Sequence, residues 1–356
     1  MKILVAMSGG VDSSTAAALL KEAGHECIGC TMRLYDGAGA DTDGGRTCCS
    51  LDDVEDARAV AYRLGMPYYV FNFTEDFRRC VIDRFTDAYL HGRTPNPCID
   101  CNRYMKFGKL AERAKLLGCD AVATGHYARI GKVGGRYLLK KAKDPAKDQS
   151  YVLYGMGQEE LAHTLFPLGE LTKEQTRALA AAHGFLNADK PDSQDICFVP
   201  DGDTPAAVVR YAGQEPPHGH FVDAAGRVLG EHGGIHRYTV GQHRWLGIDL
   251  PGKRYVTAIR PTENEIVLGA AEDLLRRETK VGEVRWVAGE PPAFPCACRV
   301  KLRYRQAEQP AVLTPTAEGV LVTFREPQRA PTPGQAAVFY DGDVVLGGGV
   351  ISDAGI

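Results

Sequence analysis

The sequence predicts an α/β protein: a doubly wound parallel-sheet domain over residues 1–200, a small loop-rich central domain over 201–275 and a C-terminal β-barrel over 276–356. Three observations carry this expectation. Through the first two hundred residues short β-rich runs alternate with helical patterns, which implies crossover connections and a parallel sheet covered on both faces. After about Pro200 the chain is rich in Gly, Pro and His and shows little sustained helical period. From about Thr279 onward, β-branched and aromatic runs such as AVFYDGDVVLG are separated by Pro, Gly and Asp-Gly turns, which suggests hairpins.

Element by element, KILVAM at 2–7 reads as the first strand, the Ala/Leu-rich stretch from about Ser13 to Ala23 as the first helix, and roughly Glu26 to Met32 as the second strand. Val54, Ala57, Ala61 and Leu64 recur at helical spacing, GMPYYVFNF is a strand, and Phe77, Val81, Phe85 and Ala88 mark one face of another helix. A further helix over about Phe107 to Leu117 leads into the strand CDAVATGH.

Composition narrows the function classes. With 44% hydrophobic and 24% charged residues, the 356-residue chain is an ordinary globular protein of two or three domains, not a disordered or fibrous one. No apolar run approaches the roughly 18–20 residues of a membrane span. MKILVAMSGG lacks the apolar stretch and cleavage site of a signal peptide, so a cytoplasmic protein without a membrane partner is expected. The net charge of -3 provides no bulk attraction to nucleic acid, so any such contact must come from a local patch. Eleven cysteines, an odd count in a chain without secretory features, indicate reduced thiols, metal ligands or catalysis rather than a disulfide framework.

The loop AMSGGVDSS follows the first strand. Gly9 and Gly10 can turn tightly and present backbone N–H groups, and Ser8, Ser13 and Ser14 add hydroxyls near a helix N-terminus whose dipole favours anions. Such a loop can cradle phosphate, and it can equally be a plain glycine turn. It has neither the lysine of GxxxxGK[ST] nor the GxGxxG spacing.

Two more segments carry chemistry. GRTPNPCIDCNRYMKFG sets Cys98 and Cys101 just ahead of a helix, where a thiol pKa falls, and the pair fits a metal half-site, a redox couple or two plain thiols. DKPDSQDICFVPDG holds Cys197 among acidic and hydroxyl neighbours, by itself consistent with a core cysteine. Cys27 and Cys30 fall on opposite faces of one strand, Cys48 and Cys49 are adjacent in a loop, Cys80 and Cys119 occur in apolar patterns, and Cys296 and Cys298 lie on a β-run. The histidines at 218, 220, 232, 236 and 243 show no convincing metal spacing.

SGGVDSS at a strand-to-helix turn resembles the pyrophosphate loop (PP-loop) of the ATP pyrophosphatase superfamily. The ordered set SGGVDSS, GRTPNPCIDCN with MKFG, ATGHYAR, KDQSYVLY, FPLGELTKEQTRALA, DSQDICFV and YTVGQ closely resembles the bacterial tRNA-specific 2-thiouridylase family. The resemblance spans the chain, strongly to about Leu250. It implies ATP cleavage to AMP and pyrophosphate, with Ala6, Met7, Ser8, Gly9, Gly10, Val11, Asp12 and Ser13 lining the phosphates, Met32 near the adenine and Gly125 close to the nucleotide. Magnesium is expected with ATP, and no dedicated metal site is visible. The resemblance makes Cys101 the nucleophile and Cys197 the bearer of a persulfide supplied by a sulfur donor or relay protein. Where the family often has Asp, this chain has Cys98, and that departure opens an alternative in which Cys98, Cys101 and Cys197 ligate a 4Fe-4S cluster.

The same resemblance implies tRNA as partner, with Lys, Glu and Gln acceptors, and brings Asn96, Pro97 and Cys98 beside a target base drawn out of its stack. It also assigns tRNA contacts to Lys147, Asp148 and Gln149, to His126 and Gln335, and to Arg303 and Tyr304. The run CRVKLRYRQ alternates Arg299, Lys301, Arg303 and Arg305 with apolar residues, so that a strand would gather four cations on one face. Residues 276–310 hold eight Lys or Arg against four Asp or Glu, a local charge of +4. Without the resemblance, a solvated strand face, a helix-capping turn at KDQ and a core histidine at 126 serve as well.

Overall fold

The computed structural model describes residues 1–35, 51–188, 190–191 and 196–353. Cys48, Cys49 and the first part of DSQDICFV lie outside the described residues. Strands β1 (Lys2–Ala6), β2 (Glu26–Arg33), β3 (Tyr68–Asn72), β4 (Ala121–Ala123) and β7 (Thr164–Leu165) form a parallel sheet in the order β3-β2-β1-β4-β7. The period-2 rule sorts the central residues: Leu4 and Cys30 pack into a core with Phe77, Phe85 and Val122, whereas Ile3, Val5 and Cys27 pack on the other face with Ala17, Ala61 and Ala180. Cys27 and Cys30 therefore do point apart. Helices α1 (Val11–Glu22), α2 (Leu51–Arg63) and Lys173–Ala182 cover the second face. Continuous helical runs over residues 74–90 and 97–116, each containing a π-helical stretch, cover the first.

The central domain has more regular structure than its composition suggested. Strands β8 (Gly219–Val222), β9 (Val228–His232), β10 (Tyr255–Arg260) and β11 (Glu265–Gly269) make a four-stranded sheet in the order β10-β11-β8-β9. Ahead of it, TPAAVVRYA forms a helix, Thr204–Ala212, capped by the Asp203 side chain at one end and left-handed Gly213 at the other. Ala207 and Val208 of that helix pack into the core of the first domain.

Strands β12 (Leu275–Trp286), β13 (Cys296–Lys301), β14 (Gln309–Thr316), β15 (Gly319–Arg329), β16 (Ala336–Asp341) and β17 (Val344–Asp353) close into an antiparallel barrel through the β12–β17 pairing. A hairpin from the first domain, β5 (Arg129–Val133) and β6 (Arg136–Lys140), adds to β17. β16 is buried on both faces: Ala337 and Phe339 fill the barrel, and Ala336, Val338 and Tyr340 pack with Phe107, Leu139 and Tyr151 of the first domain. This packed seam brings the barrel to the carboxyl ends of the parallel sheet. No helix among the described residues is long and apolar enough to cross a membrane.

Candidate active site and its relatives

The chain runs from β1 to β2 and β3 on one side and then crosses to β4 on the other, so the order reverses between β1 and β4. A crevice opens at such a reversal, beyond the strand ends. Here it is a cavity of about 1360 Å³. Its floor is the β1–α1 loop. Gly9 adopts φ +73, and a Cβ there would collide with the backbone of Asp53. Gly10 is the N-cap residue of α1 and supplies no capping side chain, so the first N–H groups of a twelve-residue helix face the crevice without a side-chain cap. The Ser13 hydroxyl accepts from Ser8 N–H at 3.1 Å and donates to Gly10 O at 3.1 Å. The Asn187 amide donates to Gly9 O at 2.8 Å and pins the loop from outside. After β4, Gly125 approaches so closely that a Cβ would lie 2.7 Å from Ser13 N.

Ala6, Met7, Ser8, Gly10, Val11, Asp12, Ser13, Met32 and Gly125 all line this cavity, together with Pro97, Cys98, Cys101, His126, Lys147, Asp148, Gln149, Cys197, Arg303 and Tyr304. Gly9, Asn96 and Gln335 do not. Asn96 caps the 97–116 helix, its side chain accepting from Cys98 N–H at 3.1 Å, with Pro97 in the first turn. Gln335 bridges domains by donating to Thr94 O at 2.7 Å. Cys101 begins the π-helical stretch Cys101–Lys109, and π-helical turns recur at functional sites. Beside it, burial raises the pKa of Asp100 while Arg84, 3.2 Å away, opposes the rise. Cys197 sits in a turn whose carbonyl accepts from the Tyr35 hydroxyl at 2.8 Å. Cys101 and Cys197 pack against the same apolar core. Among the described residues no three His, Cys, Asp or Glu side chains converge to hold a metal ion.

Several residues do more structural work than the motifs implied. Asp148 caps the following 3-10 turn, accepting from Ala142 N–H at 2.9 Å and from the Ser150 hydroxyl at 2.8 Å. Gln149 accepts from Tyr127 N–H at 2.9 Å. His126 is 6% exposed, packed against Phe107 and Phe166, and burial, then Lys106, holds its pKa well below 6.5. Since an ammonium can only donate, Lys106 donates to His126 Nε2 at 3.3 Å, and the ring proton on Nδ1 goes to Thr124 Oγ1 at 2.7 Å. The four-cation strand face is corrected. β13 ends at Lys301, where its pairing with β14 and β16 stops, and Arg303 and Arg305 lie in the bend that follows. Arg303 donates to Ala330 O at 3.0 Å and to Thr332 Oγ1 at 2.9 Å. The bend nonetheless brings Lys301, Arg303 and Arg305 to the cavity.

Sequence reasoning passed over three lysines. Lys106 lines the cavity five residues after Cys101. Lys173 grips both oxygens of Asp12, at 2.7 and 2.8 Å, while the Tyr127 hydroxyl donates to the same carboxylate at 2.8 Å. Lys190 bonds Asp53 at 2.6 Å and Asp56 at 2.8 Å and also lines the cavity. They stood within MKFG, LTKEQ and DKPDSQ, but only the fold carries Lys173 to Asp12 and Lys190 to α2.

Three family models match successive parts of the chain: a tRNA methyl transferase HUP domain over residues 1–201, a tRNA methyl transferase PRC-barrel domain over 207–270 and an aminomethyltransferase beta-barrel domain over 276–351. The tRNA-specific 2-thiouridylase MnmA of Symbiobacterium thermophilum is 49% identical over 99% of this chain and 92% of its own. That of Geotalea uraniireducens is 48% identical over 99% of this chain and 95% of its own. That of Chloroflexus aggregans is 51% identical over 98% of each. With such identity sustained from end to end and through all three domains, the chain belongs to the tRNA-specific 2-thiouridylase family.

Proposed function

We propose that this chain is a cytoplasmic tRNA 2-sulfurtransferase that spends ATP to activate the C2 oxygen of a wobble uridine and then replaces that oxygen with sulfur. One observation carries the reading: the loop after β1, Cys101, Cys197 and the cations of the barrel bend share one cavity. The C2 oxygen is a poor leaving group. Its attack on the α-phosphorus of ATP expels pyrophosphate and yields an adenylate, with the N-terminus of α1 and the loop amides receiving the phosphate charge. Magnesium keeps most of its water and travels with the ATP phosphates, so it needs no protein cage.

Sulfur then arrives as a persulfide on Cys197, delivered by a persulfide donor or relay protein. Its terminal sulfur attacks C2 and AMP departs with the former C2 oxygen. The Cys101 thiolate attacks the Cys197 sulfur, which leaves the thiocarbonyl sulfur on the base and a Cys101–Cys197 disulfide. If Cys101 attacks first, hydrosulfide is released to C2 and the same disulfide remains. A thiol reductant reopens it. Acceptors of the Lys, Glu and Gln class fit the family. The test combines unmodified tRNA, ATP and a persulfide donor with iron-free protein. Wild type forms 2-thiouridine, whereas Cys101→Ala and Cys197→Ala release pyrophosphate without forming it. Thiolation that survives Cys197→Ala, or that requires stoichiometric iron, refutes the persulfide route.

A further inference from the structure

A second feature lies outside the cavity, on the central domain. The segment HRWLGIDLPGKR, residues 243–254, carries three Lys or Arg and one carboxylate, Asp249. Leu246, Ile248 and Leu250 fold inward against Phe221, Tyr238 and Val256. Trp245 stays out, 92% exposed, at φ 59, a left-handed conformation that a bulky residue seldom adopts. Its neighbours are held: the Gln242 amide donates to Arg244 O at 3.1 Å and the Tyr238 hydroxyl donates to Leu246 O at 3.2 Å. The fold thus spends backbone strain to present an indole to water, and such strain clusters at ligand sites.

Lys253 and Arg254 line one hollow with Trp245 and His243. Arg329 and Lys253 lie over Tyr255, 4.8 and 5.4 Å from its ring centre, and the His243 ring lies tilted, 5.2 Å from the same ring. Burial, then Lys253, Arg244 and Arg329, pushes the His243 pKa down, as a locally positive field should. Among the described residues, no carboxylate pairs with Arg244, Lys253, Arg254 or Arg329. The patch also adjoins the cavity. A Cβ on Gly241 would lie 3.1 Å from Ala330 and 3.6 Å from the guanidinium of Arg303, which lines the cavity.

We propose that Trp245 and the cations Arg244, Lys253, Arg254 and Arg329 form an RNA-binding surface that holds the tRNA outside the cavity. This rests on the tRNA reading above. An exposed indole offers a stacking platform for a base, and cations that no carboxylate neutralises meet the phosphates of the same strand. An acidic protein would satisfy the cations but would leave the indole without a matching π-face.

The experiment measures tRNA affinity across salt concentrations, pyrophosphate release and thiolation for wild type, Trp245→Ala, Trp245→Phe and the Arg244→Glu, Arg254→Glu double variant. Trp245→Ala weakens tRNA binding about tenfold, and Trp245→Phe recovers most of the loss. The double variant flattens the slope of log affinity against log salt by about 2. Turnover at saturating tRNA is unchanged. Unaltered affinity and slope in these variants overturn the proposal. So does unaltered tRNA binding with slowed sulfur delivery from a donor protein, which assigns the surface to that protein. Wild-type protein that neither binds nor thiolates tRNA refutes the underlying function instead.

Discussion

Replacing Gly125 with Ala tests the loop assignment through a single methyl group. Gly125 follows β4 and faces the first turn of α1, where the added Cβ would stand 2.7 Å from Ser13 N, 2.8 Å from the Asp12 carbonyl carbon and 3.1 Å from Asp12 Cβ. Ordinary contact at about 3.5 Å therefore needs a displacement of about 0.7 Å between the strand end and the helix. Neither backbone is free to yield: Ile3, Leu4 and Val5 of the neighbouring strand are fully buried, and Ser13 is tied to Ser8 and Gly10 by bonds of 3.1 Å each. Overpacking of this kind costs about 1–3 kcal/mol of stability. A misplacement approaching 1 Å in a reacting assembly costs about 100-fold in rate. Pyrophosphate release by Gly125→Ala should therefore fall about 30- to 100-fold, with the unfolding temperature a few degrees lower and tRNA affinity unchanged. The assay follows pyrophosphate with saturating tRNA and varied ATP, alongside thermal unfolding. Release within twofold of wild type would refute the argument that the α1 N-terminus receives the phosphates.

Lys173→Met leaves the Asp12 carboxylate with the Tyr127 hydroxyl but without its ammonium. Stability should drop by about 1–2 kcal/mol in denaturant titrations and adenylation should slow, and a double variant with Asp12→Asn should be less unstable than the two losses added together. Acid should destabilise the protein through His126. Its folded-state pKa is held below 6.5, so below pH 6.5 the unfolded chain binds a proton that the folded chain refuses; the stability present above 6.5 is lost as pH falls toward the folded value. His126→Gln should remove up to one proton from the unfolding equilibrium, a change in slope of at most about 1.4 kcal/mol per pH unit, read from unfolding temperatures between pH 7 and pH 5. An unchanged slope would mean that this histidine does not take up the proton.

Most of the α/β domain was readable because periodicity and punctuation agreed there. KILVAM is a both-faces-buried strand, the two glycines end it, and alanines let α1 pack closely against the sheet. The Thr204–Ala212 helix was missed because the surrounding Gly, Pro and His outweighed a short pattern whose caps, Asp203 and Gly213, were its clearest signal. Alternation in CRVKLRYRQ overstated a strand, since period 2 continues past Lys301, where the pairing with β14 and β16 stops. Of the cavity, residues on one motif were legible, while pairings between motifs were not. Lys173 meets Asp12 across 161 positions and Lys190 meets Asp53 across 137, and no local pattern encodes either.

The family models divide the chain into three, and the cavity is lined from the first and the third of these regions. Two of its cations, Arg303 and Arg305, stand on a bend between β13 and β14. Two anchors hold that bend: Arg303 on the Ala330–Thr332 loop, and Glu308, which takes Lys141 of the first domain at 2.7 Å. Behind it, the Tyr151 hydroxyl donates to Ala336 O at 2.9 Å and Tyr340 reaches Ser150, immediately after Asp148 and Gln149. Movement of the barrel must therefore move both the cations and the 147–150 turn that faces them. The other side of this packed seam is the Tyr127 contact to Asp12. Gln149, Tyr127 and Asp12 form a chain of two hydrogen bonds, 2.9 and 2.8 Å, from the 147–150 turn to the loop after β1.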